Sequence, residues 1–175
     1  MINNSDLKNT LRNFAKIYSS KKSGGEEYPI LSITKEHGII LQDEKFKKRI
    51  ASTDTSTYKI VPRGIMVQGI HIDERNFGIQ DKCDYGIVSP AYKLWELNKS
   101  CNPDVLVYAM RTDETMQYIC SKFSGSIKRR ESISNSDLLN TPLNLPDINK
   151  QNKFALFMKQ IDKSKYFGGV CYEIC

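Results

Sequence analysis

The residues best suited to chemistry in this sequence are cations. Lys45-Phe46-Lys47-Lys48-Arg49 is followed closely by Ser52, Thr53, Thr55, Ser56 and Thr57, and a second run, Lys128-Arg129-Arg130, follows the loop-like Ser124-Gly125-Ser126. Lysine and arginine neutralise phosphates. Arginine also bonds both acceptors on a guanine edge, and short hydroxyl side chains bond phosphate oxygens. Lys47, Lys48, Arg49, Ser52, Thr55, Lys128, Arg129 and Arg130 are therefore the candidate DNA-contacting residues. A run of like charge is equally what a solvated face looks like. The net charge of +6 favours a polyanionic partner without identifying one.

Signs of catalysis are sparse. The sequence has no G-x-G-x-x-G and no P-loop to cradle phosphates, and no G-x-S-x-G elbow. The Asn-Pro-Pro-Tyr and Asp-Pro-Pro-Tyr tetrapeptides of amino-group methyltransferases are also absent. Glu26 with Glu27, or Asp73 with Asp81 and Lys82, would supply the acids and the lysine of a nuclease metal site, but at generic spacing. His37 and His71 fall in turn-like segments with no base–orienter partner nearby in sequence. Of the five cysteines, Cys83, Cys101, Cys120, Cys171 and Cys175, no two are spaced C-x-x-C. Cys171-x-x-x-Cys175 would hold a metal only with two further ligands, and neither histidine is spaced to provide one. The expectation is reduced thiols, no metal, no cofactor and no enzymatic activity.

Several kinds of element must position the cations. Ser5 as cap and Leu7, Leu11, Phe14 and Tyr18 at helical spacing predict a helix over 5–18. A succession of short β-like pieces follows: 28–33, 38–42, 58–61, 65–70, 77–79, 86–88 and 92–97. Pro62, Gly64, Gly69, Gly78, Gly86 and Pro90 punctuate them. Asn102-Pro103-Asp104 combines a cap, a first-turn proline and an acid at the positive end of the dipole, so a helix runs to about Arg111. The next carries Met116, Ile119, Cys120 and Phe123 on one face and ends at Gly125. After the extended Thr141–Pro146, a last helix spans about 147–165 with Phe154, Phe157, Met158 and Ile161 at 3-4 spacing. These predict an α+β (mixed α/β) fold: a twisted, mostly antiparallel sheet with flanking helices plus a C-terminal helix.

Five segments, in order, resemble the specificity subunits of type I restriction–modification systems. They are Tyr28-Pro29-Ile30-Leu31-Ser32-Ile33-Thr34-Lys35 with Gly38-Ile39-Ile40-Leu41-Gln42; Tyr58-Lys59-Ile60-Val61-Pro62-Arg63-Gly64; Gly86-Ile87-Val88-Ser89-Pro90-Ala91-Tyr92; Gly125-Ser126-Ile127-Lys128-Arg129-Arg130 leading to Ser136-Asp137-Leu138-Leu139; and Pro142-Leu143-Asn144-Leu145-Pro146 before a polar, Gln-containing helix start. The resemblance spans about residues 10–165.

It implies a target-recognition domain over 1–146, the start of a conserved spacer or dimerisation helix over 147–165, and a divergent tail over 166–175. Such subunits usually carry two recognition domains, each reading half of a split site, so this chain resembles a half-subunit. Implied partners are double-stranded DNA, a DNA adenine methyltransferase subunit and a restriction subunit, with self-association or a second specificity chain meeting Phe154, Phe157, Met158 and Ile161. The family's helix would continue beyond Lys165. Two other readings are a truncated remnant that binds the methyltransferase without directing it to DNA, and a stand-alone nuclease. The polar start, Met1-Ile2-Asn3-Asn4-Ser5, is unlike a signal peptide and no apolar run approaches membrane-spanning length, so the expected location is cytoplasmic, away from membranes.

Overall fold

The computed structural model describes residues 9–35, 37–45, 54–123 and 133–168, the side chains of 44–45 and 162–168 excepted. Along the chain come β1 (Ala15–Ile17), β2 (Leu31–Thr34), β3 (Gly38–Leu41), α1 (Gln42–Lys45), β4 (Lys59–Pro62), β5 (Met66–Gln68), β6 (Phe77–Ile79), β7 (Tyr85–Val88) and β8 (Lys93–Leu97). Four further helices follow: α2 (Pro103–Met110), α3 (Asp113–Ser121), α4 (Asn135–Leu139) and α5 (Ile148–Gly168). The α+β class expected from the sequence is what is found, and every strand ladder is antiparallel.

The strands form one four-stranded sheet in the order β1-β8-β5-β6, and two ribbons, β2-β3 and β4-β7. Alternation along the central strands divides the interior in two. Met66 pairs with Trp95, and both face a core built with Leu106, Met110, Ile119, Leu138 and Leu143. One residue along, Val67 pairs with Leu94, and both face a second core of Leu31, Ile33, Ile39, Val61 and Val88 from the ribbons. The middle of the sheet is thus covered on both faces, which is why β5 is buried throughout. The buried Trp95 indole donates to Gln68 Oε1 at 3.1 Å, so its one polar atom is satisfied. Gly86 lets a ribbon approach: a Cβ there would lie 2.6 Å from Leu31 Cδ1.

The helix predicted over 5–18 is not present in its described part. Leu11–Asn13 make a single 3-10 turn, and Ala15–Ile17 then pair with Leu97, Glu96 and Trp95 of β8. Leu11, Phe14 and Ala15 are all buried. Their spacing suits one helix face, but here it serves a turn followed by an edge strand, and long-range pairing overrides the local period. Residues 5–8 lie outside the described part.

The other helices start as their sequence signals require. Asn102 accepts from the Asp104 and Val105 amides, Thr112 from Thr115, and Ser134 from Asp137. On α3 the buried row is Thr115, Met116 and Ile119, while Cys120 is exposed, contrary to the expected stripe. One residue past Ile119 turns the chain by about 100°, off the inner face. The helix ends at Ser121, before Gly125.

Candidate nucleic-acid and partner interfaces

Helix α5 begins at an Asp cap. The Asp147 carboxylate accepts from the Lys150 amide at 3.1 Å, which holds its pKa below the usual carboxylate value. From there one row of side chains faces the body: Gln151 and Ala155 are buried and Met158 is half-buried. Gln151 takes the main-chain amide of Asn102 on Oε1 at 2.8 Å and donates from Nε2 to the carbonyls of Pro146 and Ser100 at 2.7 and 3.2 Å. Lys159 pairs with Asp104 of α2 at 2.9 Å, which raises the lysine pKa.

The predicted stripe straddles two rows. Met158 belongs to the inner one. Phe154, Phe157 and Ile161, at spacings of three and four, form the adjoining outer row, 38%, 57% and 37% exposed. Phe154 meets the exposed ring of Tyr108 on α2 edge-on, with centroids 5.6 Å apart. Beside this pair, Val105, Leu143, Leu145, Pro146 and the two rings border a groove of about 470 Å³. Leu156, at 62%, is exposed on the far side of α5.

Of the predicted DNA-contacting residues, Lys47, Lys48, Arg49, Ser52, Lys128, Arg129 and Arg130 lie outside the described part. Thr55 is half-buried at the head of a turn, where its carbonyl accepts from the Tyr58 amide at 2.8 Å and from the Ser23 hydroxyl at 2.6 Å. It borders a concavity of about 590 Å³ that also holds Glu26, Glu27 and Asp43. The first two acids weighed for a nuclease thus gather a third. Among the described residues, no group of three or more His, Cys, Asp or Glu is arranged to hold a metal ion.

Three lysines that the sequence reading did not single out come together elsewhere. Exposed Lys22 bridges directly opposite Lys59. Lys59 Nζ donates to the carbonyl of Tyr92 at 2.6 Å, and the neighbouring Lys93 donates from Nζ to the carbonyl of Ile133 at 3.0 Å. Burial lowers the pKa of Lys59 and of Lys93, and the charge of Lys59 lowers that of Lys93 further. Among the described residues, none of the three pairs with a carboxylate. One sequence signal was available: Tyr58-Lys59 and Tyr92-Lys93 are the only Tyr-Lys dipeptides of the chain.

No family model matches the sequence, and no curated protein does. Solved structures do. The HsdS subunit from Thermoanaerobacter tengcongensis superposes with a TM-score of 0.59 at 16% identity, covering 90% of this chain and 43% of that one. The fold is that of the type I specificity subunit. A second match comes from a structure described as the basis of complex assembly and conformational transition in the type I R-M system. Its TM-score is 0.58 at 14% identity, covering 94% of this chain and 44% of that one. The chain thus spans less than half the length of either chain it matches. At these identities the shared property is the fold. Among the described residues, no helix is long and apolar enough to cross a membrane.

Proposed function

We propose that this chain is a sequence-specific DNA-binding module, without catalytic activity of its own, that directs a type I restriction–modification complex in the cytoplasm to one half of a split DNA site. The observation that carries this reading is the HsdS-type fold over nine-tenths of the chain. Residues 1–146 are the reading domain and 147–165 the start of the spacer helix. In this reading Arg49, Arg129 or Arg130 contacts a base edge, Lys47, Lys48 and Lys128 contact phosphates, and Ser52 and Thr55 supply hydroxyl donors. The outer row of α5, with Met158 at its border, meets a methyltransferase subunit or a second specificity chain. The restriction subunit joins through that assembly.

Salt titration of duplex binding tests the reading. With roughly 4–6 phosphates neutralised, the slope of log K against log salt is about −4 to −5. No duplex binding at low salt, with or without the methyltransferase subunit, would sink it. The exposure of Phe157 beside a well-docked inner row supports a second reading, a module that binds the methyltransferase without directing it to DNA. That reading predicts co-purification with the methyltransferase subunit but no change in which sites of a random-sequence library are methylated.

A further inference from the structure

The cationic arrangement of Lys22, Lys59 and Lys93 costs the fold free energy that no carboxylate among the described residues offsets. Like charges placed directly opposite on paired strands destabilise the pairing, and Lys22 and Lys59 are so placed. Moving ammonium groups out of water adds to that cost, and Lys59 and Lys93 are both half-buried. A carboxylate among them would relieve it, and the described part of the chain supplies none. An external anion would relieve it as well.

We propose that Lys22, Lys59 and Lys93 form the seat for backbone phosphates of duplex DNA, an assignment that rests on the DNA-reading function above.

The geometry suits that ligand. An ammonium has three N–H donors. Lys59 and Lys93 each commit one to a main-chain carbonyl, of Tyr92 and Ile133 respectively. This fixes where each charge stands and leaves donors for phosphate oxygens. The two carbonyl bonds also tie the seat to two chain segments distant in sequence. Lys59 directly follows the turn at 55–58, where the chain re-enters the described fold after the first basic cluster. Ile133, which holds Lys93, is where it re-enters after the second. Lys59 and Lys93 thus lie next to residues at which the chain re-enters the described fold. The concavity beside Thr55 has the opposite character, because Glu26, Glu27 and Asp43 disfavour a phosphate in it. Of these two described surfaces, the lysine edge is the one that suits a phosphate.

The experiment measures binding of the full chain to a random-sequence duplex of about 20 base pairs across a salt series. It compares the wild type with the Lys22→Gln/Lys59→Met/Lys93→Met triple variant and with a Lys99→Gln/Lys153→Gln control. Each phosphate contact contributes about 0.9 to the slope, so the triple variant is expected to be shallower by about 2.7 and the control unchanged. Lysine acetylation of the unmutated protein, read by mass spectrometry with and without duplex, gives a second readout that needs no variant to fold. Lys22, Lys59 and Lys93 are expected to be protected by the duplex and Lys99 and Lys153 not. If the wild type binds duplex but the slope is unchanged in a folded triple variant, or the three lysines are unprotected, the seat is wrong and the DNA-reading function stands. If the wild type does not bind duplex at low salt, with or without the methyltransferase subunit, both fall.

Discussion

The side chain of Gln151 closes a three-way junction around the main-chain amide of Asn102. Its oxygen takes that amide at 2.8 Å while its nitrogen bonds the carbonyls of Ser100 and Pro146, and the side chain is fully buried. Asn102 in turn caps α2, so one amide group joins the start of α2, the extended segment before α5, and α5 itself. Replacing Gln151 by Ala would leave one donor and two acceptors unpaired away from water. The expected loss is about 1–3 kcal/mol in urea denaturation. Asn152→Ala removes only an exposed bond to Asn102 and is expected to cost under about 0.5 kcal/mol. Equal losses for the two variants would show that the junction is not what secures α5.

The thiol of Cys101 is buried beside the carbonyls of Phe14 and Asn98, and burial raises its pKa from 9.0 to about 11. The raised value means that the folded state keeps a proton that the unfolded chain gives up. The contribution to stability is therefore intact below about pH 9 and declines as the pH rises from there to about 11. Lysines and tyrosines titrate in the same window, so the comparison that isolates the thiol is with Cys101→Ala. The wild type is expected to lose stability more steeply than this variant between those pH values. In the native state, iodoacetamide at pH 8 should modify the exposed Cys120 and spare Cys101. Parallel stability curves, together with prompt alkylation of Cys101, would show that the thiol is not held neutral.

The legible parts of the fold were those in which local chemistry and tertiary packing agree. Asn102-Pro103-Asp104 fixed the start of α2 because cap, proline and acid all act within one turn. The strand around Gly86 was readable because Ile87 and Val88 are buried and Gly86 admits Leu31 at a distance no side chain would allow. β1 was not readable, because the pairing of Ala15 with Leu97 lies far away in sequence and leaves no local trace. On α5 the apolar residues drew attention to the outer row. The row that docks is carried partly by Gln151, a polar residue whose burial makes sense only once its three partners are in place. The lysine seat was hidden for a related reason: its members come from three segments, and each looks like an ordinary charge in a strand or loop.

The proposed division of labour among the arginines and lysines has a distinct signature. An arginine that bonds a base edge discriminates at one position, whereas a lysine on a phosphate does not discriminate. Arg49→Ala, Arg129→Ala or Arg130→Ala is expected to cost about 1–3 kcal/mol on the preferred site and to relax one position of it. Lys47→Ala, Lys48→Ala and Lys128→Ala should weaken all sequences alike and flatten the salt dependence. Selection from a random-sequence library with each variant measures both effects. Uniform loss on every sequence for all three arginine variants would remove base reading from these positions.

The outer row of α5 gives the last prediction. Phe157 is 57% exposed, whereas Phe154 already packs against Tyr108. Docking of α5 on its own domain is carried by Gln151, Ala155 and Met158, with Phe154 against Tyr108, so the exposed Phe157 ring is not needed for it. Phe157→Glu is therefore expected to leave the melting temperature unchanged, since surface substitutions away from such packing stay within about 0.5 kcal/mol. It should abolish both self-association and co-purification with a methyltransferase subunit, because a charge would then have to enter an apolar contact. Phe154→Glu should do the same but also destabilise the monomer, since the edge contact with Tyr108 is worth about 0.5–1.5 kcal/mol. Replacing the chain after Lys165 by a longer amphipathic helix should turn weak association into a tight dimer that reads a palindromic, split site. Sedimentation of the native and extended forms measures this. A native chain already dimeric through 147–165 at low micromolar concentration would show that the extension is unnecessary. An extended chain that stays monomeric, with Phe157→Glu indistinguishable from wild type in co-purification, would show that the outer row serves no partner.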